Sequence, residues 1–140
     1  MCVLRVTGSN FDVEEFLRTS GLHPYMAYKA GDPRAPFRSD GSVYSTSGFR
    51  VEVSHAAWSN LPGQVSDACA FLERHAGELR ALAALSTVED MRLDFPIELR
   101  IGENVVAQFD YLPPELIKAA GALGMGIELS TYPTGAREGQ

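Results

Sequence analysis

Eleven residues from Met91 to Ile101 alternate without interruption. Met91, Leu93, Phe95, Ile97, Leu99 and Ile101 are apolar, and Arg92, Asp94, Pro96, Glu98 and Arg100 fall between them. A period of two over this length predicts a strand with one face buried and one face wet. Such strands belong to antiparallel or mixed sheets covered on one side, because doubly covered parallel strands read as continuous apolar runs. The odd-numbered residues from Leu93 to Leu99 are expected under helices.

The remaining elements follow from local signals. A first strand is expected over Cys2–Thr7. Asp12 is placed to cap a short helix, with Glu15 as capping-box partner and Phe11 and Phe16 as a hydrophobic staple. That helix is expected to stop at Ser20, with Gly21 left-handed and Leu22 touching Leu17. Phe49, Val51 and Val53 predict a second strand, with Ser54 on its opposite face and Ser42–Ser45 as the other arm of a hairpin. A long helix is expected from Gln64 to Leu85 on the stripe Val65, Ala68, Cys69, Leu72, Ala76, Leu79, Leu82 and Ala83. Gly77 weakens its middle by up to about 1 kcal/mol relative to Ala, so a bend or an early end is expected there. The Met91 strand is expected to turn at Gly102-Glu103-Asn104 into a strand over Val105–Phe109. Pro96 must then face away from its partner or lie at an edge or bulge. A further helix opens at Pro113-Pro114, with Leu116, Ile117, Ala120 and Leu123 inward. A last strand spans Ile127–Tyr132. Strand pairs alternating with helices predict an α+β, ferredoxin-like arrangement: a largely antiparallel sheet with helices on one face. Residues 1–132 are expected to form a single domain and residues 133–140 a flexible tail.

Composition narrows the function classes. A chain of 140 residues, 45% of them hydrophobic, buries roughly 70% of the surface its unfolded form exposes, so it needs no staples. The net charge of −6 disfavours general nucleic-acid binding and docking on an anionic membrane. No apolar run has the length of a membrane span and no signal segment opens the chain, which leads to an expectation of a cytoplasmic protein. Cys2 and Cys69 share core positions of a strand and a helix, and both are expected to be buried, free and unreactive. His23, His55 and His75 have no ligand spacing, so neither a metal nor another cofactor is expected. Ser54 and His55 are sequence neighbours whose side chains leave a strand on opposite faces, so they form no dyad.

The irregular stretch His23–Gly41 holds three prolines and two glycines, and it concentrates Tyr25, Tyr28, Lys29, Arg34, Phe37 and Arg38. Cations among aromatics suit an anionic ligand or an acidic partner segment. The alternative is that the aromatics cap the core while the cations pair with Asp32 and Asp40. His55 and Trp58, at a corner after the second strand, complete the candidate binding residues.

Several of these motifs resemble a known family. Phe11-Asp12 opening a helix, Gly21-Leu22-x-Pro24, Lys29-x-Gly31-Asp32-Pro33 and the entry Ser47-Gly48-Phe49 are similar to those of the bacterial family called domain of unknown function 4279. So is the ending Leu116–Tyr132, with Gly124 and Ile127-x-Leu129-Ser130-x-Tyr132. The resemblance implies a small, intracellular α+β bacterial domain and carries no catalytic residues. Two function classes remain. One is a non-catalytic protein-interaction module, of the kind that includes acidic immunity proteins occluding a toxin. The other is a small-ligand-binding domain or enzyme using the 23–41 loop and the Ser54–Trp58 corner.

Overall fold

A computed structural model describes residues 1–36 and 38–136. Along the chain run β1 (Cys2–Gly8), α1 (Val13–Thr19), β2 (Met26–Tyr28), β3 (Ser47–Ser54) and α2 (Leu61–Arg74). They are followed by α3 (Ala76–Ala84), β4 (Asp90–Glu98), α4 (Pro114–Ala122) and β5 (Gly126–Tyr132). The strands form one sheet in the order β2-β3-β1-β4-β5. Three of its pairings are antiparallel, and β4–β5 is parallel across the α4 crossover.

Register decides which face is apolar, because residues directly opposite one another share a face. Leu4 lies opposite Val51 and Leu93, Val6 opposite Phe49 and Met91, and Phe95 opposite Leu129. Val13 of α1, Val65 and Leu72 of α2, Leu79 and Leu82 of α3, and Leu116 and Ala120 of α4 join these residues in one core. The other face carries Arg5, Arg50, Arg92, Asp94 and Glu128 in matching register. The chain is therefore α+β, with a mostly antiparallel sheet and its helices layered on one face, which is compatible with the expected ferredoxin-like arrangement.

The local signals for α1 hold. Asp12 Oδ1 accepts from the Glu15 backbone N–H at 3.1 Å, and the Phe11 and Phe16 rings lie 6.2 Å apart. The Glu15 carboxylate, however, pairs with Arg18 at 2.6 Å. The helix ends differently from expectation. Gly21 is not left-handed; extended Ser20 turns the chain instead, its hydroxyl accepting from the Leu22 N–H at 3.0 Å.

Longer-range expectations need more correction. The predicted long helix begins earlier, where Asn60 caps Gly63 N–H at 3.0 Å, and it divides at His75. The predicted Ser42–Ser45 arm is not β3's partner; β2 is, while Val43 bridges to Pro33. Ile117 is exposed, not inward. Met91, Leu93, Phe95 and Ile97 are buried as the alternation requires, but Leu99 and Ile101 are exposed by 38% and 51%. The cause is that β4 ends at Glu98, so Leu99 and Ile101 lie beyond the sheet. β1 begins at Cys2 and its Val3 lies opposite Asp94, so beyond that point β4 has no antiparallel partner. The Pro96 carbonyl accepts instead from Gln64 Nε2 at 2.8 Å, and the Glu98 N–H donates to the Trp58 carbonyl at 3.2 Å. Backbone polar groups alternate in direction along a strand, so the donor that Pro96 lacks would have pointed toward this vacated flank, away from β5.

The expected Val105–Phe109 strand is absent among the described residues. The turn itself closes, with Gly102 bridging Val105, but β5 occupies the flank of β4 that a hairpin would have used. At the C-terminus the Thr134 hydroxyl donates to the Leu99 carbonyl at 2.6 Å. From residue 137 onward the expected flexible tail lies outside the described residues.

The register makes a direct stability test. Phe95→Ala empties a fully buried site and is expected to cost about 3–5 kcal/mol, whereas exposed Leu99→Ala should stay within about 0.5 kcal/mol. Urea denaturation of the two variants checks this, and equal losses would overturn the assigned end of the buried face.

Candidate functional site

The structure separates the residues that the sequence singled out into two groups. Tyr28 lies opposite Gly48, at the end of the sheet where Gly8 of β1 meets Ser47. Its ring stacks on Tyr44 with centroids 4.1 Å apart, and the Arg34 guanidinium lies 5.3 Å from the Tyr44 ring. Gly48 is required here, since a Cβ would stand 2.4 Å from the Val6 carbonyl oxygen and 2.8 Å from the Tyr28 hydroxyl. Lys29 pairs with Glu14 at 2.6 Å, and that hydrogen-bonded contact raises its pKa. The Asp32 carboxylate accepts from the Lys29 backbone N–H at 2.9 Å. The nearby Ser42 hydroxyl, and the Ser42 backbone N–H that donates to Asp40 at 3.0 Å, hold the Asp40 carboxyl below the usual carboxylate range. The loop is thus tied largely to itself, and its acids serve the backbone more than the cations. Tyr25 and Arg38 remain exposed, and Phe37 lies outside the described residues.

His55 and Trp58 sit at the opposite end of the sheet, where Cys2 meets Ser54. A register shift beside Cys2 and Val3 turns Ser54 toward α2, against the expectation that it faces away from the core. The Ser54 hydroxyl donates to Asp67 at 2.6 Å, while His55 points outward and pairs with Glu52 at 2.6 Å. Trp58 is buried, its indole stacked 4.5 Å from the Tyr132 ring.

Next to this corner lies a feature that strand and helix patterns did not reveal. The connection between β4 and α4 folds on polar side chains. Arg100 pairs with Asp110 at 2.9 Å, and its backbone N–H donates to Gln108 Oε1 at 2.8 Å. Gln108 Nε2 donates to the Glu98 carbonyl at 3.1 Å and to Asp110 at 2.8 Å. With its polar side chains turned onto one another, the segment leaves Phe109 88% and Tyr111 72% exposed. Between this segment and the first turns of α2 runs a groove of about 530 Å³, lined by Leu61, Pro62, Val65 and Cys69 opposite Phe109 and Tyr111. A second hollow of about 370 Å³ continues between α2 and α4 over Leu72, Ala119 and Leu123. Cys69 and Glu115 line both. Val105, Ala107 and Phe109 keep strand parity, so only the clustering of Arg100, Gln108 and Asp110 around the turn could have hinted at this arrangement.

Cys69 is therefore half-buried, not fully buried as expected, and it faces solvent through the groove. Burial and, secondarily, the Glu115 charge raise its thiol pKa. Cys2 is fully buried, and burial with the nearby Asp94 charge pushes it up to about 12. Among the described residues no three His, Cys, Asp or Glu side chains are grouped as metal ligands, and no helix is long and apolar enough to cross a membrane.

The family model described as a domain of unknown function, DUF4279, matches residues 1–134. The chain belongs to this family. No curated protein and no solved structure matches it. The match spans both ends of the DUF4279 sheet, so the 23–44 loop and the groove beside α2 both fall within the family's extent.

Two thiol predictions follow from this geometry. In native DUF4279 protein, Cys69 is expected to label slowly through the groove, and Cys2 only on unfolding; mass spectrometry of timed alkylation reads both. Between pH 9 and pH 12 the unfolded chain has released a proton that folded Cys2 keeps, so stability falls as pH rises. The slope is about 1.4 kcal/mol per pH unit. Below pH 9 this contribution is constant, and Cys2→Ala should flatten the alkaline limb in pH-resolved denaturation.

Proposed function

We propose that this DUF4279 domain is a non-catalytic protein-interaction module of the bacterial cytoplasm, comparable in kind to small acidic immunity proteins. The groove between α2 and the 99–113 segment is its main contact surface. What carries the reading is Phe109, which is held almost fully in solvent by a segment whose polar side chains are engaged with one another. Exposed aromatics beside an apolar groove are the residue type and shape from which interface hot spots are built.

The charge pattern supports a partner of particular chemistry. Glu115 stands where the two hollows meet, and among the described residues it makes no ion pair or side-chain hydrogen bond. Glu73, on the rim of the second hollow, is likewise without one. Arg100 is already committed to Asp110. The fitting occupant is a protein segment with an apolar face and a basic residue near its centre, and the net charge of −6 steers such a partner inward. The exposed Tyr25 and Arg38 offer a second, smaller patch at the far end of the sheet. A small-ligand reading draws on the groove's volume, which falls in the range of small-molecule pockets.

A peptide library displayed on phage and selected against the full chain tests the proposal. Enriched peptides should combine spaced apolar residues with Lys or Arg. Phe109→Ala should weaken the best of them by about 30-fold, the effect of losing a hot-spot aromatic worth about 2 kcal/mol. Glu115→Lys should weaken it further. Tyr28→Ala with Arg34→Ala should lower the melting temperature, through the lost Tyr44 stack, and leave peptide affinity unchanged. Binding insensitive to Phe109→Ala overturns the groove as the site. Binding of fragment-sized compounds in the groove, with no peptide enriched, moves the assignment to a small ligand.

A further inference from the structure

The two edges of the sheet are unequal. β2, at one edge, is three residues long, and a short edge strand offers little to pair with. β5, at the other, runs seven residues in unbroken register with β4. Its backbone directions can be assigned. The Tyr132 carbonyl accepts from the Leu99 N–H, so Tyr132, Ser130 and Glu128 turn their backbone groups toward β4. Ile127, Leu129 and Thr131 consequently turn theirs outward, and among the described residues no backbone hydrogen bond reaches them from that side.

The usual protections of an edge are missing from β5. It contains no proline, no lysine and no bulge, and its only charge, Glu128, is engaged by Arg92 at 3.3 Å. Leu129 lies on the helix-bearing face yet is 42% exposed.

We propose that β5 pairs with β5 of a second copy of this chain, antiparallel about a two-fold axis at Leu129, to make one continuous sheet through both copies. The proposal is independent of the groove and its partner. The register is self-complementary. Ile127 meets Thr131 and Leu129 meets Leu129, so the outward-turned backbone groups form hydrogen-bonded pairs, with these side chains on the helix-bearing face. On the other face Glu128 meets Ser130, so no carboxylate opposes another, and Tyr132, whose ring stays on Trp58, meets Gly126, which presents no side chain against it. Sliding the axis by one residue would oppose Glu128 to Glu128 or Ser130 to Ser130 and shorten the overlap. A two-fold contact of this kind closes on itself and leaves no further free β5 edge.

The test combines mass with site-resolved exchange. Sedimentation of the full chain should give the mass of two copies. Amide hydrogen exchange should show Ile127, Leu129 and Thr131 protected, with protection growing as concentration rises. Leu129→Pro removes an outward N–H and spares the β4 ladder, and it should halve the mass. Thr131→Lys, which leaves the backbone intact at an exposed position, should do the same while the far-UV circular dichroism of the folded chain is retained and the melting temperature loses its dependence on concentration, so the proposal stays testable if the proline variant fails to fold. A wild-type chain of single-copy mass at every soluble concentration overturns the proposal. So does a two-copy mass that survives Thr131→Lys, or one in which the amides of Ile127, Leu129 and Thr131 exchange freely.

Discussion

Leu4 and Val6 each face two apolar partners at once, Val51 and Leu93 for the first, Phe49 and Met91 for the second. Because β1 is hydrogen-bonded on both sides, its register sets that of β3 and β4 together, and a slip of one residue would carry both apolar rows to the wet face. The helices then have one place to bury their stripes. α2 supplies Val65, Ala68 and Leu72, α3 supplies Leu79 and Leu82, and α4 supplies Leu116 and Ala120, all against the same face. The end of β1 matters as much as its middle. Where Cys2 begins the strand, β4 loses a neighbour, and Gln64 and Trp58 take up the freed backbone groups.

On the helix-free face a different constraint ties the same strands. Arg5 lies directly opposite both Arg50 and Arg92, an arrangement that repels across the sheet. The acids beside it offset that repulsion. Buried Asp94 accepts from Arg5 at 2.8 Å and from Ser130 at 2.7 Å, while Arg92 bridges Asp90 and Glu128. These contacts link β1, β4 and β5. They hold register more than they add stability, because desolvating a charge offsets much of what its pairing returns.

The two ends of the sheet have been built by opposite means. At the Tyr28 end, aromatic and cationic side chains meet one another, Tyr28 on Tyr44 with Arg34 beside it. At the Trp58 end, the aromatic that the sequence singled out is also buried, on Tyr132. The neighbouring connection instead turns its polar groups inward, onto Arg100 and Asp110, and its apolar groups outward. The surface proposed for contact thus lies on a segment without regular secondary structure. That fits the general division in which a rigid layered scaffold positions irregular segments that make contacts.

What the sequence determined by itself is what depends on nearest neighbours. The Asp12 cap, the Phe11–Phe16 staple, the apolar parity of Met91 to Ile97 and the proline-led start of α4 were legible, because each rests on geometry within a few residues. The likeness to DUF4279 was legible as well, from motifs spread along the chain. Tertiary structure decided the rest. It ended the buried face at Ile97, since β4 itself ends at Glu98, and it turned Ser54 toward α2 through a register shift. It gave β5 the flank of β4 that Val105–Phe109 had been expected to fill. It also set Tyr28 and Trp58 at opposite ends of one sheet and raised the groove over Cys69. None of these has a local signature, because each depends on how segments distant in the chain meet, and a period-two pattern records which face a residue takes but not which neighbour will cover it.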